Sequence, residues 1–259
     1  MNINDIIGHN ENQTEFHISD EQYSKLLDQL RIDLVPTQRN RELLKTTAHM
    51  EVEDLSMIVH VMAPQSDGTT KHILVSDAAL EAMGIDREKF LKDAISASQK
   101  NYPASMAQLS SYLFGSDDGI ASQIYVASMQ DMTKGAGVIL YPDFMEKAAQ
   151  QLGGDFYVLP SSIHEVLLLI DDGTIPLDDL KHIVRSVNRF EVSIEDRLSD
   201  NVYHFDAAER KLEIGEKFQE RKQNEKDSRH SVLGELSSTK AAAKAPVEKA
   251  IHKKDEMAL

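Results

Sequence analysis

The sequence predicts an α+β fold: a mainly antiparallel sheet built from hairpins, with helices packed on it, plus a disordered or loosely helical C-terminal tail. Three observations carry this expectation. Short β-rich runs come in pairs with hairpin-length links, not the crossover helices of a βαβ repeat. Helical runs with recognisable caps alternate with those pairs. After Gly215 the composition turns to charged, amide and alanine residues, too poor in apolar area to offset the entropy of ordering.

Residues 1–18 are polar and read as a flexible N-terminal arm or a peripheral strand. Ser19, with Gln22 three positions on, makes a capping-box pattern. Tyr23, Leu26, Leu27 and Leu30 then recur at helical spacing, which predicts a helix over 19–30. Residues 32–35 form a short strand ended by Pro36, and 40–49 a helix or a turn-rich link. The run 55–62 is a strand whose hairpin partner is 71–75, across the turn Gln65-Ser66-Asp67-Gly68. Ser76 and Asp77 cap a helix over 78–83 that Gly84 stops. Asp86 caps the next, 87–100, ended by Pro103, and 104–113 reads as a further helical piece. A loop at 115–119 leads to strands at 123–128 and 136–140. Asp143 then caps a helix over 144–152, closed by Gly153-Gly154. Strands at 155–159 and 163–170 flank the corner Pro160-Ser161-Ser162. Asp171-Asp172-Gly173 is a turn, 177–187 a helix, and 202–205 with 211–214 a last hairpin. The organisation expected is an arm (1–18), one domain (19–215) and a charged, Ala/Lys-rich tail (216–259).

Hydrophobic residues make up 41% of the 259, low enough to leave a tail outside the core. The absence of cysteine excludes disulfides, thiolate metal sites and cysteine nucleophiles, and it fits a reducing compartment. The first residues carry no basic n-region, and no run approaches the roughly 18 apolar residues of a membrane span, so a cytoplasmic protein without membrane contact is expected. The net charge is −15. From Glu216 onward ten Lys/Arg face eight Asp/Glu, so the excess of negative charge lies in the body. Such a field disfavours nucleic acid as a partner of the body.

The segment Ser161-Ser162-Ile163-His164-Glu165 gathers two hydroxyls, an imidazole and a carboxylate at a corner. On an extended strand Ser162 and His164 share a face, with Cβ atoms about 6 to 7 Å apart, so Ser162 is a candidate nucleophile with His164 as base, and Ser161 is the alternative nucleophile. Glu165 points the other way and does not orient the ring. No nucleophile elbow accompanies them. Partners held to the backbone at a corner are the plainer reading. His164-Glu165 lacks the second histidine of a zinc-protease helix, and His49, His60, His72, His182 and His204 have no ligand spacing, so neither metal nor cofactor is expected. Lys134-Gly135-Ala136-Gly137 lacks the phosphate-loop frame and reads as a turn. In the tail, Val232, Leu233 and Leu236 form an isolated apolar knot suited to docking on a partner protein.

Several runs carry a resemblance. They are Ile124-Tyr125-Val126 with Gly135-Ala136-Gly137-Val138-Ile139-Leu140-Tyr141-Pro142, then Asp155-Phe156-Tyr157-Val158-Leu159-Pro160-Ser161-Ser162-Ile163-His164-Glu165-Val166, and then Leu198-Ser199-Asp200-Asn201-Val202-Tyr203-His204-Phe205-Asp206. Together with Glu53-Asp54-Leu55 they resemble an uncharacterised bacterial family, domain of unknown function fifty-six eighty-eight. The resemblance implies a setting in anaerobic Gram-positive bacteria, often on integrative and conjugative or other mobile elements. It implies no activity, and no residue inherits a role from it.

Two functions compete at this point. One is a non-enzymatic protein-binding or regulatory accessory protein of a mobile genetic element, with an acidic body and a docking tail. The other is a hydrolase or transferase using Ser162 and His164.

Overall fold

In the computed structural model residues 17–111, 123–160 and 162–242 are described, with side chains as far as residue 228. Most of the expected arm, the 115–119 loop, Tyr112 and Ser161 lie outside the described residues, as do the side chains of Val232, Leu233 and Leu236.

The chain opens with α1 (Asp20–Leu27), started by the expected capping box: Gln22 N–H donates to Ser19 Oγ at 3.3 Å and Ser19 N–H to Gln22 Oε1 at 2.8 Å. Ile18, just before it, packs on the core as a staple would. The first sheet has four strands: β1 (Leu30–Pro36), β2 (His49–Val52), β3 (Leu55–Pro64) and β4 (Thr70–Leu74). A single helical turn, α2 (Arg41–Leu44), joins β1 to β2. The long strand β3 pairs antiparallel with β1 along one edge, and with β2 and then β4 along the other. Ser76 caps α3 (Asp77–Ala82), Gly84 ends that turn at φ +66°, and Asp86 caps α4 (Arg87–Asn101). Helix α4 closes the free edge of β1. Ser98 Oγ accepts the Ile32 N–H at 3.2 Å and Asn101 Nδ2 donates to the Leu30 carbonyl at 3.1 Å, so the edge is not left to pair with another chain.

The second sheet has six strands, all antiparallel, in the order β10-β9-β7-β8-β6-β5. These are β5 (Ala104–Gln108), β6 (Ile124–Met129), β7 (Phe156–Leu159), β8 (Val166–Ile170), β9 (Tyr203–Asp206) and β10 (Lys211–Ile214). Period-two burial divides its faces. Phe156, Val158 and Leu168 point into the main core, which also takes Leu30, Ile32, Met57, Val59 and Phe90 from the first sheet and α4. Tyr157, Leu159 and Leu169 point the other way, onto Leu177, Leu180 and Val184 of α6 (Leu177–Phe190). Helix α5 (Phe144–Leu152) adds its apolar face to the main core. One polar pin ties the sheets together: the Asp54 carboxylate accepts Ser199 Oγ at 2.8 Å, Asn201 Nδ2 at 3.0 Å and the Tyr203 hydroxyl.

Three expectations are corrected. Residues 104–108 are the strand β5, followed by a 3-10 turn (Leu109–Ser111), not a helical piece; pairing with β6 overrides the weak helical pattern. Residues 136–140 are a 3-10 helix, Gly135–Leu140, not a strand. Its first amides, from Gly135 and Ala136, are spent on the carbonyls of His164 and Ile163, so no ladder forms. Strand β8 starts at Val166, leaving Ile163 and His164 in a bend. Strand β2 was not foreseen.

Backbone contacts divide the chain into two units, Met1–Gly215 and Glu216–Leu259. The second holds most of α7 (Gly215–Ala242), a mixed-charge helix with no apolar stripe, supported by pairs such as Arg221–Glu225 at 3.1 Å.

Candidate functional site

Strand β1 faces the core with Leu30, Ile32 and Leu34, so Arg31 and Asp33 fall on its other face. Both are 3% exposed, and two ionised groups inside an apolar strand need partners. The Arg31 guanidinium forks onto Asp131, donates to the Thr133 carbonyl and lies 4.5 Å over the Tyr102 ring. Asp33 meets three side chains that can carry positive charge. His60 Nδ1, across the strand pair, is 3.2 Å from Oδ2, and Lys134 Nζ is 3.4 Å from the same oxygen. Arg31 Nε is 3.6 Å from Oδ1. Arg31 Nε lies beyond hydrogen-bond distance and the other two contacts are poorly aligned for one, so Asp33 is held mainly by charge. Burial alone would raise its carboxyl, but His60, Lys134 and Arg31 outweigh that and hold it below the usual carboxylate range. His72, whose ring centroid is 6.1 Å from that of His60, is shifted down, first by burial and then by the charges of Lys134 and His60.

Lys134 reaches Asp33 from a strained loop. Its φ is +46°, in the left-handed region, and that of Met132 is +54°. The His164 corner holds this loop. The Lys134 N–H donates to His164 Nδ1 at 3.2 Å. The Gly135 N–H and Ser128 Oγ both donate to the His164 carbonyl, at 2.8 and 2.7 Å, and the Ala136 N–H donates to the Ile163 carbonyl at 3.1 Å. The corner is anchored in turn: the Ile163 N–H donates to the Asp196 carbonyl at 2.8 Å, and His164 Nε2 lies 3.5 Å from Asp196 Oδ1. Gly135 is required here, because a Cβ would sit 2.0 Å from Ser128 Oγ and 2.4 Å from the Met129 nitrogen.

These groups open into a cavity of about 450 Å³. Asp33, His60 and Lys134 form its polar end, Ile58, Leu74 and Ile163 line its walls, and Leu43 and Ile194 stand at the rim with Arg39. Arg39 fixes that rim by donating to the carbonyls of Ile194 at 2.7 Å and Arg197 at 2.8 Å. The Lys134 ammonium is 37% exposed and makes no hydrogen bond among the described residues; its one ion contact is the long one to Asp33.

The corner therefore takes part, but not as an extended strand with Ser162 and His164 on one face. Ser162 is 6% exposed, and its hydroxyl accepts the His164 N–H at 3.0 Å. The Nδ1 lone pair that a base would use is already occupied by Lys134. Glu165 follows, half-buried, without a hydrogen bond among the described residues. Ser161 lies outside them. Sequence reasoning passed over Asp33, and weighed His60 only as a metal ligand and Lys134 only as part of a phosphate loop. The available signal was Arg31 and Asp33 breaking an otherwise apolar strand, since a charge at a buried position demands a counter-charge from elsewhere.

Among the described residues no three His, Asp or Glu side chains are grouped so as to hold a metal ion, and no helix is long and apolar enough to cross a membrane. A family model described as a family of unknown function (DUF5688) matches residues 1–207, and the chain belongs to that family. No curated protein and no solved structure matches it.

Proposed function

We propose that this chain is a non-enzymatic binding protein whose recognition site is the cavity at Asp33, His60 and Lys134. The observation that carries this is Lys134: a strained, braced loop holds its ammonium, without a hydrogen bond, at the polar end of an aliphatic cavity. Strain maintained by such a scaffold is a mark of functional positions, and a mostly apolar concavity with a few convergent polar groups is the usual form of a binding site. The resemblance adds only the genetic setting, a mobile element; a cytoplasmic location and a regulatory accessory action on a partner protein are further parts of this proposal. The tail knot of Val232, Leu233 and Leu236 is a second contact in this proposal. The alternative, a hydrolase or transferase built on Ser162 and His164, has less support, because both groups are already committed to backbone amides.

The test is to plug the cavity at its rim. Ile194 and Leu43 are 65% and 41% exposed, so Ile194→Trp and Leu43→Trp leave the core intact. A library of small molecules and short peptides is screened by thermal shift against the wild type and both variants. Ligands that stabilise the wild type but not the plugged variants support the reading. Ligands unaffected by either plug, or none at all, defeat it.

A further inference from the structure

We infer that the cavity captures the C-terminal carboxylate of a partner polypeptide that ends in an aliphatic residue. This rests on the binding reading above and names the ligand's chemistry. The polar end offers the Lys134 ammonium, which makes no hydrogen bond among the described residues. Asp33 is not a competing seat for a ligand cation. Its side chain is 4% exposed and its charge is already met by His60, Lys134 and Arg31. A ligand head entering here therefore meets a cation whose intramolecular contact is long and misaligned, and an anionic oxygen improves on that contact. The walls behind the head are mostly aliphatic, from Leu34, Ile58, Leu74 and Ile163, with no Phe, Tyr or Trp ring to stack on; the other polar side chains, Arg39, Asn40 and Glu195, also line it. An aliphatic side chain next to a carboxylate matches both.

A polypeptide source is favoured by what lies outside the mouth. The rim residues Leu43 and Ile194 are exposed, and Ile194 lies just beyond α6, whose Ile183, Val187 and Phe190 are exposed as well. A free fatty or branched acid would end inside the cavity and leave that surface unused. A peptide would enter by its terminus and run out across apolar residues, with Arg39 and Asn40 at the rim beside its backbone.

The experiment is isothermal titration of the full chain with four probes: an acetylated tetrapeptide ending in leucine as the free acid, the same peptide as its carboxamide, hexanoate, and hexylamine. The free acid binds most tightly, and the carboxamide binds about tenfold or more weakly, the loss of one charge-assisted hydrogen bond. Lys134→Met abolishes that discrimination, while Lys134→Arg preserves it and shows that the loop still folds. Equal binding of acid and carboxamide, discrimination that survives Lys134→Met, preference for hexylamine, or no binding of any probe would each overturn the inference. Hexanoate binding as tightly as the peptide would overturn the polypeptide source. A carboxamide or amine that binds the wild type at least as tightly as the free acid, but not Ile194→Trp, sinks this inference alone; if no ligand is sensitive to the rim plug, the binding reading falls with it.

Discussion

Replacing Asp33 with Asn tests whether the charge cluster is what holds the site. Asn keeps the shape and removes the charge. Breaking a fully buried ion pair costs about 3 to 5 kcal/mol, mostly from the charge left behind. Here the main partners have other outlets: Arg31 keeps Asp131, and Lys134 is 37% exposed and can turn to water. The expected cost is therefore smaller, about 2 kcal/mol at pH 7, or a fall in Tm of roughly 4 to 8 °C for a domain of this size. The pH dependence is more discriminating. Burial would raise the Asp33 carboxyl, but His60, Lys134 and Arg31 outweigh it and hold the group below its ordinary pKa. Its contribution is thus fully present above the unfolded value of about 3.9 and is lost as pH falls through the folded value. The gap between wild type and variant should be constant from pH 7 to about pH 5 and close as the acid limit of the fold is approached. Urea denaturation read by far-UV circular dichroism measures it, since the chain has no tryptophan to report by fluorescence. Equal stability at pH 7, or a gap that does not narrow on acidification, would refute the charge-cluster account.

Two further substitutions probe the brace. His164→Ala removes the acceptor of the Lys134 N–H and should cost about 1 kcal/mol of stability. It should weaken probe binding, while His164→Asn, whose amide oxygen can accept the same N–H, should restore most of both; titration and thermal melts compare the pair. Gly135→Ala forces a methyl against the Met129 backbone, which no side-chain rotation relieves, and should cost about 3 kcal/mol. A melt unchanged from wild type would show that the loop does not pack on β6 as described.

The sequence exposed the parts of the fold that depend on local chemistry. Ser19 with Gln22, Ser76 and Asp86 mark helix starts because a side-chain oxygen satisfies a free amide a few residues away, and that is written in adjacent letters. The hairpin of β3 and β4 announces itself through Asp67-Gly68. What failed was decided at long range. Residues 104–108 become a strand because β6 offers a partner, and 135–140 a 3-10 helix because two amides are drawn to a corner some thirty residues away. Neither preference resides in the segment itself.

The site failed to show for the same reason, but its clues were present in separate places. Ser162 and His164 drew attention because nucleophile and base stood side by side, yet adjacency in a bent chain put the hydroxyl on the His164 amide and the ring on Lys134. His164 matters through what it holds rather than through what it attacks. The groups at the cavity's polar end come from β1, β3 and the loop before the 3-10 helix, so no window of sequence contains them. A charged residue inside an apolar strand is the one local sign such a site leaves. Asp33 states that a counter-charge exists somewhere, and only the fold can say that one of those counter-charges, Lys134, has donors to spare.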